Sequence, residues 1–328
     1  MKKLTVGLAV LTLVAGFLFQ TEEAIAAVLK GLTVAFQRVV PALLPLSVLS
    51  GLAVSMGLFD GVCRVLSPVM RWFGLPAPAV LPLILGMLGG YPLGAQVVSG
   101  LLDKGQLTKK QAEAALGFCN NAGPAFVLGV AGVGVFQNAQ TGVFLLVSHL
   151  LAAVGIGLLL AGFFPIDKED ASFQKAPTEG FGPAFSKVMQ NSMLAMLRVA
   201  GYIAFFFYVT RMLSLLPTER LGPFEWLFWG GIELTNGLLR LAPGQELQAA
   251  FLLGLGGFCV FFQTAGVFAG QNISLKRYAL GKLCQASLSV LLYRGLTGMP
   301  ALLLICMGIP LFRFLLRLST GKRKHHRV

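Results

Sequence analysis

Charge is scarce in this chain: 12% of its 328 residues are charged, against roughly 25% in soluble domains. Acidic residues are scarcer still, 13 against 26 lysines and arginines. An ordinary soluble domain is excluded on that ground. Histidine occurs three times, and the five cysteines (Cys63, Cys119, Cys259, Cys284 and Cys306) stand in no CxxC or histidine-paired spacing. That pattern excludes a disulfide frame and a sequence-encoded metal site, and no cofactor is expected. There is no phosphate-binding glycine loop, no HExxH and no Ser/His/Asp arrangement. An ATP-driven pump, a membrane protease and enzymatic activity in general are therefore not expected. The net charge of +13 lies in short loops and in the tail Lys322-Arg-Lys-His-His-Arg327, beside no nucleic-acid motif. It reads as the excess of basic residues on the cytoplasmic side of a membrane protein, not as a nucleic-acid surface.

What is present is apolar sequence, 56% of the chain, with a mean hydropathy of +0.78. Uncharged runs longer than the ~18 residues that mark a spanning helix recur along it. The expected fold is an all-α polytopic membrane protein. It would have about eight transmembrane helices plus two broken or re-entrant helical hairpins, arranged as two inverted repeats. Crossings are expected near Leu4–Gln20, Val39–Leu58, Ala112–Phe136, Gly142–Phe164, Met193–Leu216, Gln248–Gly270, Tyr278–Leu296 and Pro300–Leu318. The first of these also reads as a signal peptide, with Ala24-Ile25-Ala26 as a cleavage pattern. Ala24–Arg38 is expected at the interface, and Asp60–Arg71 as a cytoplasmic loop.

The chain is organised around Gly89-Gly-Tyr-Pro-Leu-Gly-Ala-Gln96, with three glycines and a proline inside an apolar run from Ala79 to Leu102. Proline lacks the backbone N–H and glycine loses the most entropy on ordering, so a helix stops there. Hydrocarbon does not tolerate bare backbone polar groups. Such a break is therefore buried in protein or lines a cavity, and carriers bind solutes at such places. A second broken element, Leu227–Leu241, contains Gly230-Gly-Ile-Glu-Leu-Thr-Asn-Gly237. Ala131–Asn138 and Ala265–Asn272 match at five of eight positions, and the basic loops lie at opposite ends of the two matched helices. The halves are therefore read as running in opposite directions. The organisation is an N-terminal segment 1–38, repeat one 39–165, a linker 166–187, repeat two 188–318 and a basic tail 319–328.

Glu233 is the sharpest candidate site residue, as a substrate or proton site or as a carboxylate capping a half-helix. Gly90, Gly94 and Gln96 at the first break and Thr235 and Asn236 at the second complete the surroundings. Asn120, Asn121, Gln263 and Thr264 are suited either to a polar solute or to hydrogen bonds between helices. Arg198, inside an apolar run, suits a carboxylate or snorkels to the interface. Arg294 is read as snorkelling and His149 as structurally satisfied.

Four segments carry a family resemblance: Gly89–Ala95, Phe118-Cys-Asn-Asn-Ala-Gly-Pro124, Gly230–Gly237 and Gly256-Gly-Phe-Cys-Val-Phe-Phe-Gln263. In these the chain resembles the YlbJ family of sporulation integral membrane proteins, within the nucleoside-recognition or Gate superfamily, from about Val39 to Leu318. The resemblance implies a multi-pass protein of the cell inner membrane, or of the outer forespore membrane in a sporulating cell. It also implies passage of dipicolinate or a similar small anion. A nucleoside is the alternative substrate, and a membrane scaffold without transport the alternative class. The expected partners are that small molecule and the lipid bilayer, with a homo-oligomer left open and nucleic acid excluded.

Overall fold

Apolar runs punctuated by glycine and proline become helices punctuated by breaks. The computed structural model describes residues 2–163, 180–215, 218–306 and 308, and every regular element among them is helical. Helix α1 (Lys2–Phe19) leads into α2 (Thr21–Val34), which continues through a π-helical turn at Ala35–Val39 into α3 (Val40–Ser55). The stretch expected to lie along the interface is thus the first half of one 35-residue run. It packs along α10 (Phe181–Leu213), where the close approach of Gly31 to the Ala204 backbone leaves no room for a side chain. The expected loop at Asp60–Arg71 is instead helix α4 (Asp60–Trp72). Cys63 and Met70, two turns apart on one face, are buried there, and burial of that face outweighs the polar composition.

Next come α5 (Val80–Gly89) and α6 (Leu93–Asp103), the two arms of the first break. Helix α7 (Lys109–Cys119) opens with a capping box between Thr108 and Gln111. The chain then leaves helical geometry at Asn120–Gly123, resumes at α8 (Pro124–Phe126) and runs on as a π-helix over Val127–Val135. The crossing expected as one helix over Ala112–Phe136 is therefore interrupted in its middle. Pro124 disfavours helical geometry at the preceding residue, and Gly123 is extended at φ −74°, ψ 156°. Helix α9 (Ala139–Phe163) closes the first half.

The second half follows the same order. A broken pair, α11 (Glu225–Ile232) and α12 (Leu234–Leu238), precedes an interrupted helix, α13 (Glu246–Leu255) and α14 (Gly257–Val267). The long helix α15 (Lys276–Thr297) comes last. The span expected at Gln248–Gly270 thus breaks at Gly256-Gly257, where both residues have φ near +76°. Each matched eight-residue segment has a left-handed non-glycine residue within its last two positions, Gln137 at φ 52° in the first and Asn272 at φ 53° in the second.

Five helical runs among the described residues are long and apolar enough to cross a membrane, or six if α4 and the segment Ala77–Gly89 count as one bent span. That is fewer than the eight expected. Helix α15 carries Lys276, Arg277, Lys282 and Arg294 and is not among the five. It is nonetheless interior, packed against α7, α9 and α13. Most of the crossing expected at Pro300–Leu318, the tail from 319 and most of the linker lie outside the described residues.

The hydrophobic cores interleave the halves. Tyr91, from the first break, is buried among Trp229, Leu238, Leu252 and Leu253 of the second half. In return Phe268 and Tyr278 are buried with Phe73, Leu116 and Phe118 of the first.

Candidate functional site

The four backbone interruptions interlock. Gly90 has φ 75°, and a Cβ added there would stand 2.5 Å from the Gly123 nitrogen and 2.9 Å from its Cα. Glycine is therefore required at position 90 both for its backbone angle and for the close approach of two chains. A Cβ on Gly257 would meet the carbonyl oxygens of Gly230 and Gly231 at 2.7 and 2.9 Å. Tyr91 joins the halves, its Oη donating to the Leu253 carbonyl oxygen at 3.0 Å. Gly94 has the same packing character, pressed against the Cys119 carbonyl and the Gly86 Cα.

Where these breaks meet, a cavity of about 40 Å³ is walled by Tyr91, Gly123, Glu233, Thr235 and Gln263, with apolar residues of α3, α10 and α14. Glu233, 2% exposed, is extended at φ −141° and caps α12. Its Oε1 accepts from the Thr235 N–H at 3.1 Å and its Oε2 from the Asn236 N–H at 2.5 Å. The carboxylate therefore performs the capping role while also facing the cavity. Asn236 contributes its backbone here and does not wall the cavity.

Asn120, Asn121 and Thr264 sit outside that cavity, in a buried polar network. The Asn120 Nδ2 donates to Thr264 Oγ1 at 2.8 Å and to Tyr278 Oη at 3.2 Å, while its Oδ1 has no hydrogen-bond partner among the described residues. Asn121 donates to the Phe118 carbonyl, and its Oδ1 accepts from Lys282 Nζ at 3.2 Å and from Gln285 Nε2 at 2.9 Å. Lys282, 3% exposed, also donates to Gln285 Oε1 at 2.8 Å. Its ammonium lies 5.5 Å from the centre of the Tyr91 ring and 5.9 Å from that of Tyr278. It forms no ion pair with a carboxylate among the described residues. His149 Nε2 accepts the Ala122 N–H at 3.1 Å, the structural role expected of it.

Arg198 and Gln96 lie elsewhere, on the walls of two larger cavities of about 460 and 230 Å³. Arg294 is exposed near the end of α15.

Lys282, Gln285, Tyr278 and Tyr91 were not singled out from the sequence. For Lys282 a signal existed. A lysine inside the apolar stretch Tyr278–Leu296 is an intramembrane ionisable residue, and such residues are functional candidates by default.

Residues 36–135 match the family model described as Gate, nucleoside recognition. The chain is 28% identical to the sporulation integral membrane protein YlbJ of Bacillus subtilis, over 78% of this chain and 73% of that protein. No solved structure matches. The matched range 36–135 runs from the π-helical turn after α2 through the first two breaks to the end of the π-helix at Val135, so it contains Tyr91, Asn120 and Asn121. This is an integral membrane protein whose residues 36–135 match the Gate, nucleoside recognition, family model and which is similar over most of its length to YlbJ.

Proposed function

We propose that the protein is a transporter, not an enzyme, which carries a small anionic solute across the membrane between its broken helices. The observation that carries this reading is the convergence of three of the four interruptions on one buried cavity, with the fourth, at Gly256, packed against the Tyr91 hydroxyl. Tyr91, Gly123 and Glu233 come from three of them, and Gln263 lies two turns beyond the fourth. Breaks of this kind persist in hydrocarbon only where protein or a cavity receives their backbone groups, and carriers use them to bind and release solutes.

An anion is favoured by two cations without carboxylate partners among the described residues, Lys282 behind Tyr91 and Arg198 on the outer cavities. Dipicolinate is the specific substrate we propose. The resemblance to the YlbJ family supports it, and on that reading the location is the inner membrane, or the outer forespore membrane of a sporulating cell. The repeated order of broken pair, interrupted helix and long helix supports two inverted repeats, 39–165 and 188–318, joined by 166–187. Helices α1 and α15 and the segment from Pro300 would complete eight crossings.

A nucleoside is the second reading, and the Gate match and Glu233 favour it. A buried carboxylate can accept hydrogen bonds from ribose hydroxyls or from a base N–H. The test is uptake into liposomes reconstituted with the purified protein, using labelled dipicolinate, labelled uridine and an unrelated dicarboxylate. Saturable dipicolinate uptake above empty liposomes supports the proposal. Uptake of uridine alone would replace it with the nucleoside reading, and uptake of none would refute transport of these solutes.

A further inference from the structure

Three cavities lie in series between the surface and the broken helices. The outermost, about 460 Å³, is walled by α3, α6 and α10. It shares Gln96, Ala195, Arg198 and Val267 with a second cavity of about 230 Å³. That one shares Val199 and Gln263 with the 40 Å³ cavity against Tyr91 and Glu233. Polar side chains stand at both passages. The side chains of Gln96 and Arg198 have no hydrogen bond or ion pair among the described residues, and Gln263 makes one weak bond, from Nε2 to the Cys259 sulfur at 3.3 Å.

Other charges on the outer cavity are Lys104 and Asp103, and the Asp103 carboxylate is engaged by Gln271 Nε2 at 2.6 Å. The cavity wall therefore carries a net positive charge with a free guanidinium at its inner end. A snorkelling arginine extends its head toward the interface. Arg198 is itself exposed, and its place is on the wall common to two partly open cavities, where a solute entering either can reach it. Its planar fork matches a carboxylate with two parallel hydrogen bonds. The two outer cavities can hold a small solute, whereas 40 Å³ accommodates little more than a water molecule.

Building on the transporter reading, we infer that this series of cavities is the access route to the broken helices. Arg198 selects a carboxylate-bearing solute at the wall between its first two chambers, and the route narrows at Gln263 in the conformation described.

The test places a cysteine at Ala195, on the shared wall, in a Cys284→Ala background. Cys284 is the exposed cysteine, and the other four are buried and set the labelling baseline. Reaction rates with an anionic and a cationic methanethiosulfonate are compared in the full-length protein. The Ala195→Cys protein should react with the anionic reagent roughly tenfold faster than with the cationic one, after correction for their intrinsic rates. Arg198→Gln should remove that preference, and Arg198→Lys should keep it.

Labelling at or below the baseline, or a preference that ignores residue 198, would overturn the inference. The labelling readout requires no flux, so charge-selective labelling in a protein that moves no probe would refute transport while leaving the anion-selecting cavity in place. Dipicolinate uptake that survives complete labelling at position 195 would refute the route while leaving transport intact.

Discussion

Lys282 and Asn121 make a quantitative test of the buried network, because removing either partner alone has different consequences. Replacing Lys282 with methionine removes an ammonium that is costly to hold away from water. It leaves Gln285 Oε1 without its donor, whereas Asn121 Oδ1 keeps the Gln285 amide at 2.9 Å. An orphaned acceptor costs about 1–3 kcal/mol, and relief of the buried charge offsets a similar amount. Lys282→Met should therefore lie within about 2 kcal/mol of the parent.

Asn121→Leu keeps the ammonium and takes away one of its two side-chain acceptors, together with the donor to the Phe118 carbonyl. Breaking a buried charged pair from one side costs about 3–5 kcal/mol. The double variant should recover about 1.5–3 kcal/mol relative to the sum of the singles, the usual worth of a hydrogen bond to a charged group. That corresponds to roughly 10- to 150-fold in the unfolding equilibrium. The assay is unfolding in mixed micelles titrated with sodium dodecyl sulfate, run as a double-mutant cycle. Asn121→Leu no more costly than Lys282→Met, or a coupling energy below about 0.5 kcal/mol, would refute the argument. Because Lys282→Met is expected to fold, its uptake in liposomes then reports on function.

Gly90→Ala should lower the yield of folded protein sharply, since the left-handed angle costs about 1–2 kcal/mol and the added carbon collides with the Gly123 backbone. Gly201→Ala, in mid-α10 where a Cβ meets nothing within 4 Å, should be neutral or stabilising by up to ~1 kcal/mol, and a thermal-shift comparison of the two checks both. Glu233→Gln keeps one acceptor for the α12 N–H groups, so it should cost about 1 kcal/mol and leave the protein inserted while abolishing or uncoupling uptake. Full uptake by that variant would reduce Glu233 to a cap.

Much of the architecture was legible because its causes are local. Glycine and proline terminate helices wherever they stand, so the breaks at Gly90-Tyr91-Pro92 and at Glu233 lie inside the elements expected from residue type. The same rule, applied with equal weight to Gly123-Pro124 and Gly256-Gly257, locates the other two. The amphipathic helix α4 was hidden by its charges, since only the buried face of Cys63 and Met70 reveals why it folds. The candidate site was legible in part. Glu233, Thr235 and Gln263 do share a cavity, but Asn120, Asn121 and Thr264 are behind it, and Arg198 faces a different space.

Composition and the order of apolar and breaking residues were enough to determine a helical membrane protein with interrupted elements in both halves. Partnership was decided by tertiary structure alone. Lys282 meets Asn121 across 161 residues of chain, and Tyr91 meets Leu253 across 162. A helical period or a turn preference acts over a few residues, whereas the acceptor that satisfies a buried ammonium is chosen by how distant helices pack. No local rule carries that information.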